Sequence, residues 1–82
     1  MNGGKNIKLR KFHFLEGKTY HSKVFLADKP KTGANLAYQF LKEHYKLGSK
    51  KFNFTIIDTD INRKYKYSGE TLKNGQIKIK TV

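Results

Sequence analysis

The sequence predicts an α+β domain in which a curved antiparallel sheet of about five strands packs against one helix. Short segments alternate apolar with polar residues, and a period of two is typical of half-buried strands. One stretch, residues 33–46, instead has apolar residues at helical spacing. Strand segments lie on both sides of this helix and give the order β-β-α-β-β-β, which fits one helix on an antiparallel sheet. We interpret residues 1–82 as a single domain, since a chain of this length has room for one core.

The first strand shows a change of phase. Residues 7–10 alternate apolar with basic side chains. Phe12 and Phe14 have the opposite parity from the apolar residues of that segment, and a regular strand would place the two sets on opposite faces. We expect a β-bulge near Lys11 to absorb the change.

A hairpin joins this strand to the second one. Gly17 lies in a short turn, and residues 19–27 form the second predicted strand, with Tyr20, Val24 and Leu26 on one face. Alternating runs on both sides of a glycine-containing turn indicate a β-hairpin.

The helix is predicted between a proline and a glycine. Pro30 suits the first helical turn, where a backbone N–H would have no partner within the helix. Asp28 or Thr32 is the expected cap, because both side chains can accept a hydrogen bond from the free N–H groups. Gly48 suits the left-handed position that often follows a helix.

The remaining strands are predicted over residues 52–57, 63–67 and 77–80. Gly69 is interpreted as a turn signal, and Asn74-Gly75 favours a tight hairpin turn between the last two strands.

The aromatic residues are interpreted as core. Phe52 and Phe54 share the face that the helix needs as its floor, and Tyr65 and Tyr67 alternate with lysines that need the outward positions. The alternative for the phenylalanines is stacking on single-stranded bases, and the alternative for the tyrosines is stacking on bases or wedging between them. The other tyrosines are expected to be partly buried, namely Tyr20, Tyr38 and Tyr45.

Charge is the strongest global signal. Lys and Arg number 18 against 6 Asp and Glu, a formal net charge of +12. A small chain with this charge repels itself unless a polyanion neutralises it. The absence of cysteine excludes disulfides and cysteine zinc sites. No run approaches the roughly 20 apolar residues of a membrane span, and we expect an intracellular protein without a secretory signal.

The lysines of the strands predict one basic face. Strand side chains alternate between faces, so the cations gather on one side if their apolar neighbours face the helix. Lysine is a flexible point charge that suits phosphate contact better than base reading. Two further lysines would support this face at the start of the helix. The predicted nucleic-acid-binding residues are Lys8, Arg10, Lys29, Lys31, Lys64, Lys66, Lys78 and Lys80.

Catalytic interpretations are weak. His13 and His21 could approach each other across the first hairpin, but no acidic or cysteine partner accompanies them, as a metal site would need. Asp58 and Asp60 could hold Mg²⁺, although aspartate also favours the turn expected there. We therefore expect no enzyme activity, no metal and no cofactor.

Three segments carry a family resemblance. Residues 29–37 combine a lysine–proline turn with an alanine-containing helix start, residues 54–59 read Phe-Thr-Ile-Ile-Asp-Thr, and residues 63–69 form a basic strand with alternating tyrosines. Together they resemble the monomeric chromosomal protein family of methanogenic and halophilic archaea and its relatives in large DNA viruses. The resemblance implies a similar element order, and binding and bending of duplex DNA by a monomer.

Two features depart from the family pattern. Ile57 stands where the family usually has arginine. Residues 71–82 contain no proline or aromatic residue, whereas archaeal members have a longer proline-rich and aromatic segment that helps to bend DNA. The resemblance therefore implies DNA binding more directly than strong bending.

The leading hypothesis is a monomeric, chromatin-like architectural protein that binds double-stranded DNA in the nucleoid or on chromatin, with little sequence preference. An RNA-binding or ribosome-associated protein is the first alternative, because structured RNA attracts the same charge. A small viral effector that binds an acidic protein is the second. Competition among duplex DNA, structured RNA and an acidic protein would separate the three.

Overall fold

A computed structural model describes residues 8–48 and 50–82. The elements in chain order are β1 (Arg10–Glu16), β2 (Thr19–Ala27), α1 (Pro30–His44), β3 (Phe52–Asp58), β4 (Arg63–Thr71) and β5 (Ile77–Thr81). The strands form one antiparallel sheet of five strands in the order β2-β1-β3-β4-β5. The predicted α+β class, strand number and element order are confirmed. No helix in the described residues is long and apolar enough to cross a membrane.

The helix covers one face of the sheet. β1 lies between β2 and β3 and is antiparallel to both. β2 and β3 therefore run parallel to each other, and α1 crosses over β1 as it connects them. We call the covered side the helix face and the opposite side the open face. Residues directly opposite each other on neighbouring strands share a face, so the strand register assigns each side chain to one of the two.

The core lies between α1 and the helix face. From the helix it receives Ala34, Ala37, Tyr38 and Leu41, all with no exposed surface. The strands contribute Phe12, Phe14, Phe25, Ala27, Phe54, Ile56, Tyr67 and Ile79. The predicted core positions of Phe54 and Tyr67 are confirmed, and Phe52 and Tyr65 are half-buried against the same cluster.

Two glycines allow aromatic rings to touch backbone. A Cβ atom on Gly33 of α1 would lie 2.6 Å from the Phe12 ring, and one on Gly69 of β4 would lie 2.5 Å from the Tyr38 ring. An added Cβ at either position would force the neighbouring ring to move, so glycine permits this close packing. The prediction that Gly69 forms a turn is wrong, because β4 continues through it to Thr71.

The ends of the first elements also differ from the prediction. The register of the first hairpin shifts between His13 and Leu15, so the bulge expected near Lys11 is misplaced. Ile7 lies outside the described residues. Lys29 is the residue before the helix and makes no side-chain cap hydrogen bond, so the predicted cap is wrong.

Pro30 begins α1, as expected. The helix ends at His44 with Tyr45 as its C-cap, and the left-handed position that follows is occupied by Lys46, with a φ of 51°. Gly48 also has a positive φ, 63°, but it lies beyond this position, so the predicted role of Gly48 is wrong. The turn predicted at Asn74-Gly75 is confirmed. In the turn after β4, the Gly75 N–H donates to the Leu72 carbonyl and the Leu72 N–H donates to the Gln76 carbonyl.

The three remaining tyrosines have different environments. Tyr20 and Tyr45 are 53% and 39% exposed, and their rings lie against His13 and against Phe14, respectively, so their predicted partial burial is confirmed. Tyr38 is fully buried, which is more than predicted.

Candidate nucleic-acid interface

Lysines of β4 and β5 lie together on the open face. Lys64 is opposite Ile57 and Lys66 is opposite Thr55, while Lys80 is opposite Ser68 on the other side of β4. All three lysines are exposed. Tyr65 and Tyr67 have the other parity and face the helix, as predicted, so Lys64 and Lys66 point away from it.

These lysines are close neighbours. Lys64 and Lys66 are about 6.8 Å apart along β4, at two residues of about 3.4 Å each. Lys80 is diagonal to Lys66 across the strand pair, a relation that places residues about 7–8 Å apart. Positive charges at this spacing reinforce one another's potential and attract a polyanion.

Lys11 also belongs to this face, although the sequence reasoning did not select it. It is directly opposite Leu26 and is exposed. The burial of Phe12 and Phe14 sets the parity of β1, and the same parity points Lys11 outward. The two phenylalanines were therefore the signal that could have identified it.

One acid lies among the described strand residues of the open face. Glu70 is directly opposite Lys78, so part of the charge of Lys78 is offset. Glu70 reaches this position because β4 continues through Gly69 to Thr71, whereas a chain that turned at Gly69 would not have placed Glu70 on the sheet.

Arg10 is not on the open face, contrary to prediction. It is opposite Ala27 and therefore faces the helix side. Its Nε donates to Asp58 Oδ2 at 2.8 Å and its Nη2 donates to the Tyr65 hydroxyl at 3.0 Å. The hydrogen bonds to Asp58 and Tyr65 raise the pKa of Arg10 above its ordinary value. The guanidinium links the start of β1 to the end of β3 and is a structural group.

The other three predicted cations are not part of the strands of the open face. Lys8 precedes β1 and is exposed. Lys29 and Lys31 lie at the start of α1, in the helix layer, where they line a shallow depression with Thr32, Asn35 and Leu36. The first helical turn contains no acidic residue, so this end of the helix favours anions.

The two possible metal pairs have other roles. Asp58 is only 1% exposed, and its second carboxylate oxygen accepts the Asp60 N–H at 3.1 Å. The His13 ring lies against Tyr20, whereas the His21 ring lies against Phe40 of the helix. No group of three or more potential ligands that could hold a metal ion occurs in the described part of the chain.

No protein-family model, no curated protein and no solved structure matches this chain.

Proposed function

We propose that this chain binds double-stranded DNA through the phosphates, using the lysines of its open face, without catalysis and with little sequence preference. A chromatin- or nucleoid-associated architectural role, and membership of the archaeal monomeric chromosomal protein family, are part of the proposal. The observation that carries it is the concentration of exposed lysines on one side of the sheet. They are Lys11, Lys64, Lys66, Lys78 and Lys80, with Glu70 as the acid among the described residues of that face.

The character of the charge supports a weak sequence preference. Arginine reads guanine through two parallel hydrogen bonds, whereas lysine acts as a point charge. The chain has two arginines. Arg10 is paired with Asp58, and Arg63 shares the helix face and lies over the Tyr65 ring at 5.6 Å. Neither guanidinium is on the open face, so phosphate contact is the recognition that this face supports.

A salt titration of duplex binding tests the proposal. Each phosphate contact contributes about −0.9 to the slope of log affinity against log salt concentration. The four open-face lysines without an opposing acid therefore predict a slope of about −3.6. Lys64→Ala with Lys66→Ala should halve it to about −1.8.

The control removes the same charge elsewhere. Lys42 lies in the last turn of α1 and Lys46 follows the helix, and Lys42→Ala with Lys46→Ala should leave the slope unchanged. Equal effects of the two double variants, or a wild-type slope near −1, would refute phosphate contact through this face. Tighter binding of a structured RNA than of the duplex at the same salt concentration would favour the RNA-binding alternative.

A further inference from the structure

The open face has an apolar half as well as a basic half. Tyr20, Val24 and Leu26 lie on β2, the edge strand, and are 53%, 42% and 49% exposed. We call these three residues the apolar strip. β2 is three strands away from β4, which corresponds to about 14 Å at about 4.8 Å per strand. Single exposed aliphatic groups are common on protein surfaces, but an apolar strip on the same face as Lys11 and the lysines of β4 and β5 suggests a ligand with both charged and apolar parts.

We propose that the apolar strip enters the minor groove of the bound duplex, an inference that rests on the proposed function. Leu26 would be the side chain that inserts between base steps. Proteins that bend DNA from the minor groove insert apolar side chains between base steps while cations hold the phosphates. Leu26 is suited to this role because Lys11 is directly opposite it. A phosphate held by Lys11 would border the groove that Leu26 enters.

Val24 and Leu26 are each partly exposed on the open face of β2. Val24 and Leu26 are two residues apart on the same face, about 6.8 Å along the strand. β2 has a neighbour on one side only, so its outer edge can reach into a groove that a central strand could not. The lysines of β4 and β5 then contact phosphates farther along the duplex.

Two other occupants fit the strip less well. A second copy of the chain would be repelled, because each copy has a net charge of +12. Three side chains also provide far less area than the roughly 1,200 Å² that a stable interface buries. A single strand needs aromatic platforms for successive bases, whereas the strip is mainly aliphatic and its one ring already packs against His13 at 4.6 Å.

The experiment uses a 20-base-pair duplex that contains 2-aminopurine at one step and a donor–acceptor dye pair at its ends. Binding of the wild-type chain should raise the 2-aminopurine fluorescence, which reports unstacking, and should bring the ends closer. Val24→Thr with Leu26→Thr should abolish both signals and weaken binding by about tenfold. The salt slope should not change, because the lysines remain. The matched control, Leu36→Gln, removes an exposed leucine from the helix layer and should change neither signal.

Each alternative result has a distinct meaning. Duplex binding with the expected salt slope but without unstacking would overturn the wedge and leave the proposed function standing. Failure of the wild-type chain to bind duplex would overturn both. A wild-type dimer in sedimentation that the double variant converts to a monomer would assign the strip to self-association. If the double variant does not fold, Leu26→Gln alone provides the same two readouts.

Discussion

Removing one carboxylate should strengthen DNA binding. Glu70 is directly opposite Lys78 on the open face, so Glu70→Gln should remove the negative charge that offsets Lys78 and let Lys78 attract a phosphate. One added contact makes the salt slope steeper by about 0.9. At about 0.1 M salt the same contact raises log affinity by about 0.9, which is about eightfold, and the gain should vanish towards 1 M salt.

Fluorescence anisotropy of a labelled duplex between about 0.05 and 0.3 M salt would measure both quantities. Glu43→Gln is the control, because Glu43 is exposed on the helix and the substitution changes the net charge equally. Its effect on the slope should be small. Equal gains for the two variants would show that total charge, and not this face, controls affinity. A loss of affinity in Glu70→Gln would refute the placement of DNA on the open face.

Two further predictions concern the interior. Gly69→Ala should lower the free energy of unfolding, because a Cβ would lie 2.5 Å from the Tyr38 ring. The usual cost of such overpacking is about 1–3 kcal/mol. A change of less than about 0.5 kcal/mol in urea unfolding would contradict this packing. Arg10→Met should lower the urea midpoint, since buried Asp58 loses its partner, and should leave the salt slope of DNA binding unchanged. A slope reduced by about 0.9 with normal stability would instead make Arg10 a phosphate contact.

The face on which the β4 and β5 lysines lie could be predicted, because the need for an apolar surface under the helix and the alternation of strand side chains lead to the same assignment. The helix needs an apolar floor, and strict alternation then sends Lys64, Lys66, Lys78 and Lys80 to the other side. The phase of β1 could not be predicted in the same way. Two alternations of opposite parity adjoin there, and local sequence does not show which one joins the sheet.

Burial decided the phase of β1. Phe12 and Phe14 place large aromatic rings in the core, whereas Leu9 lies outside the strand and is 55% exposed. The error at Gly69 has a different origin. A lone glycine is compatible with a turn or with close approach of another group. The deciding contact is the ring of Tyr38, far away in sequence, so no local pattern contains it. Because the strand was expected to end near Gly69, the position of Glu70 on the open face could not be predicted either.

The join between β1 and β3 affects how the chain folds. Three residue pairs form the backbone ladder between them, Phe12 with Asp58, His13 with Ile57 and Phe14 with Ile56, and the side-chain ion pair of Arg10 with Asp58 also joins the two strands. The β1–β2 hairpin and the β3–β4–β5 meander each form from contacts between sequence neighbours, whereas the join closes a loop that spans the helix and must overcome its closure entropy. We therefore expect the halves to form early and to associate late. Before the two halves associate, the β3–β4–β5 meander has its lysines but lacks Lys11 and Leu26 on the same face. We expect such a chain to attract a polyanion through charge but to bind it less tightly than the folded chain does.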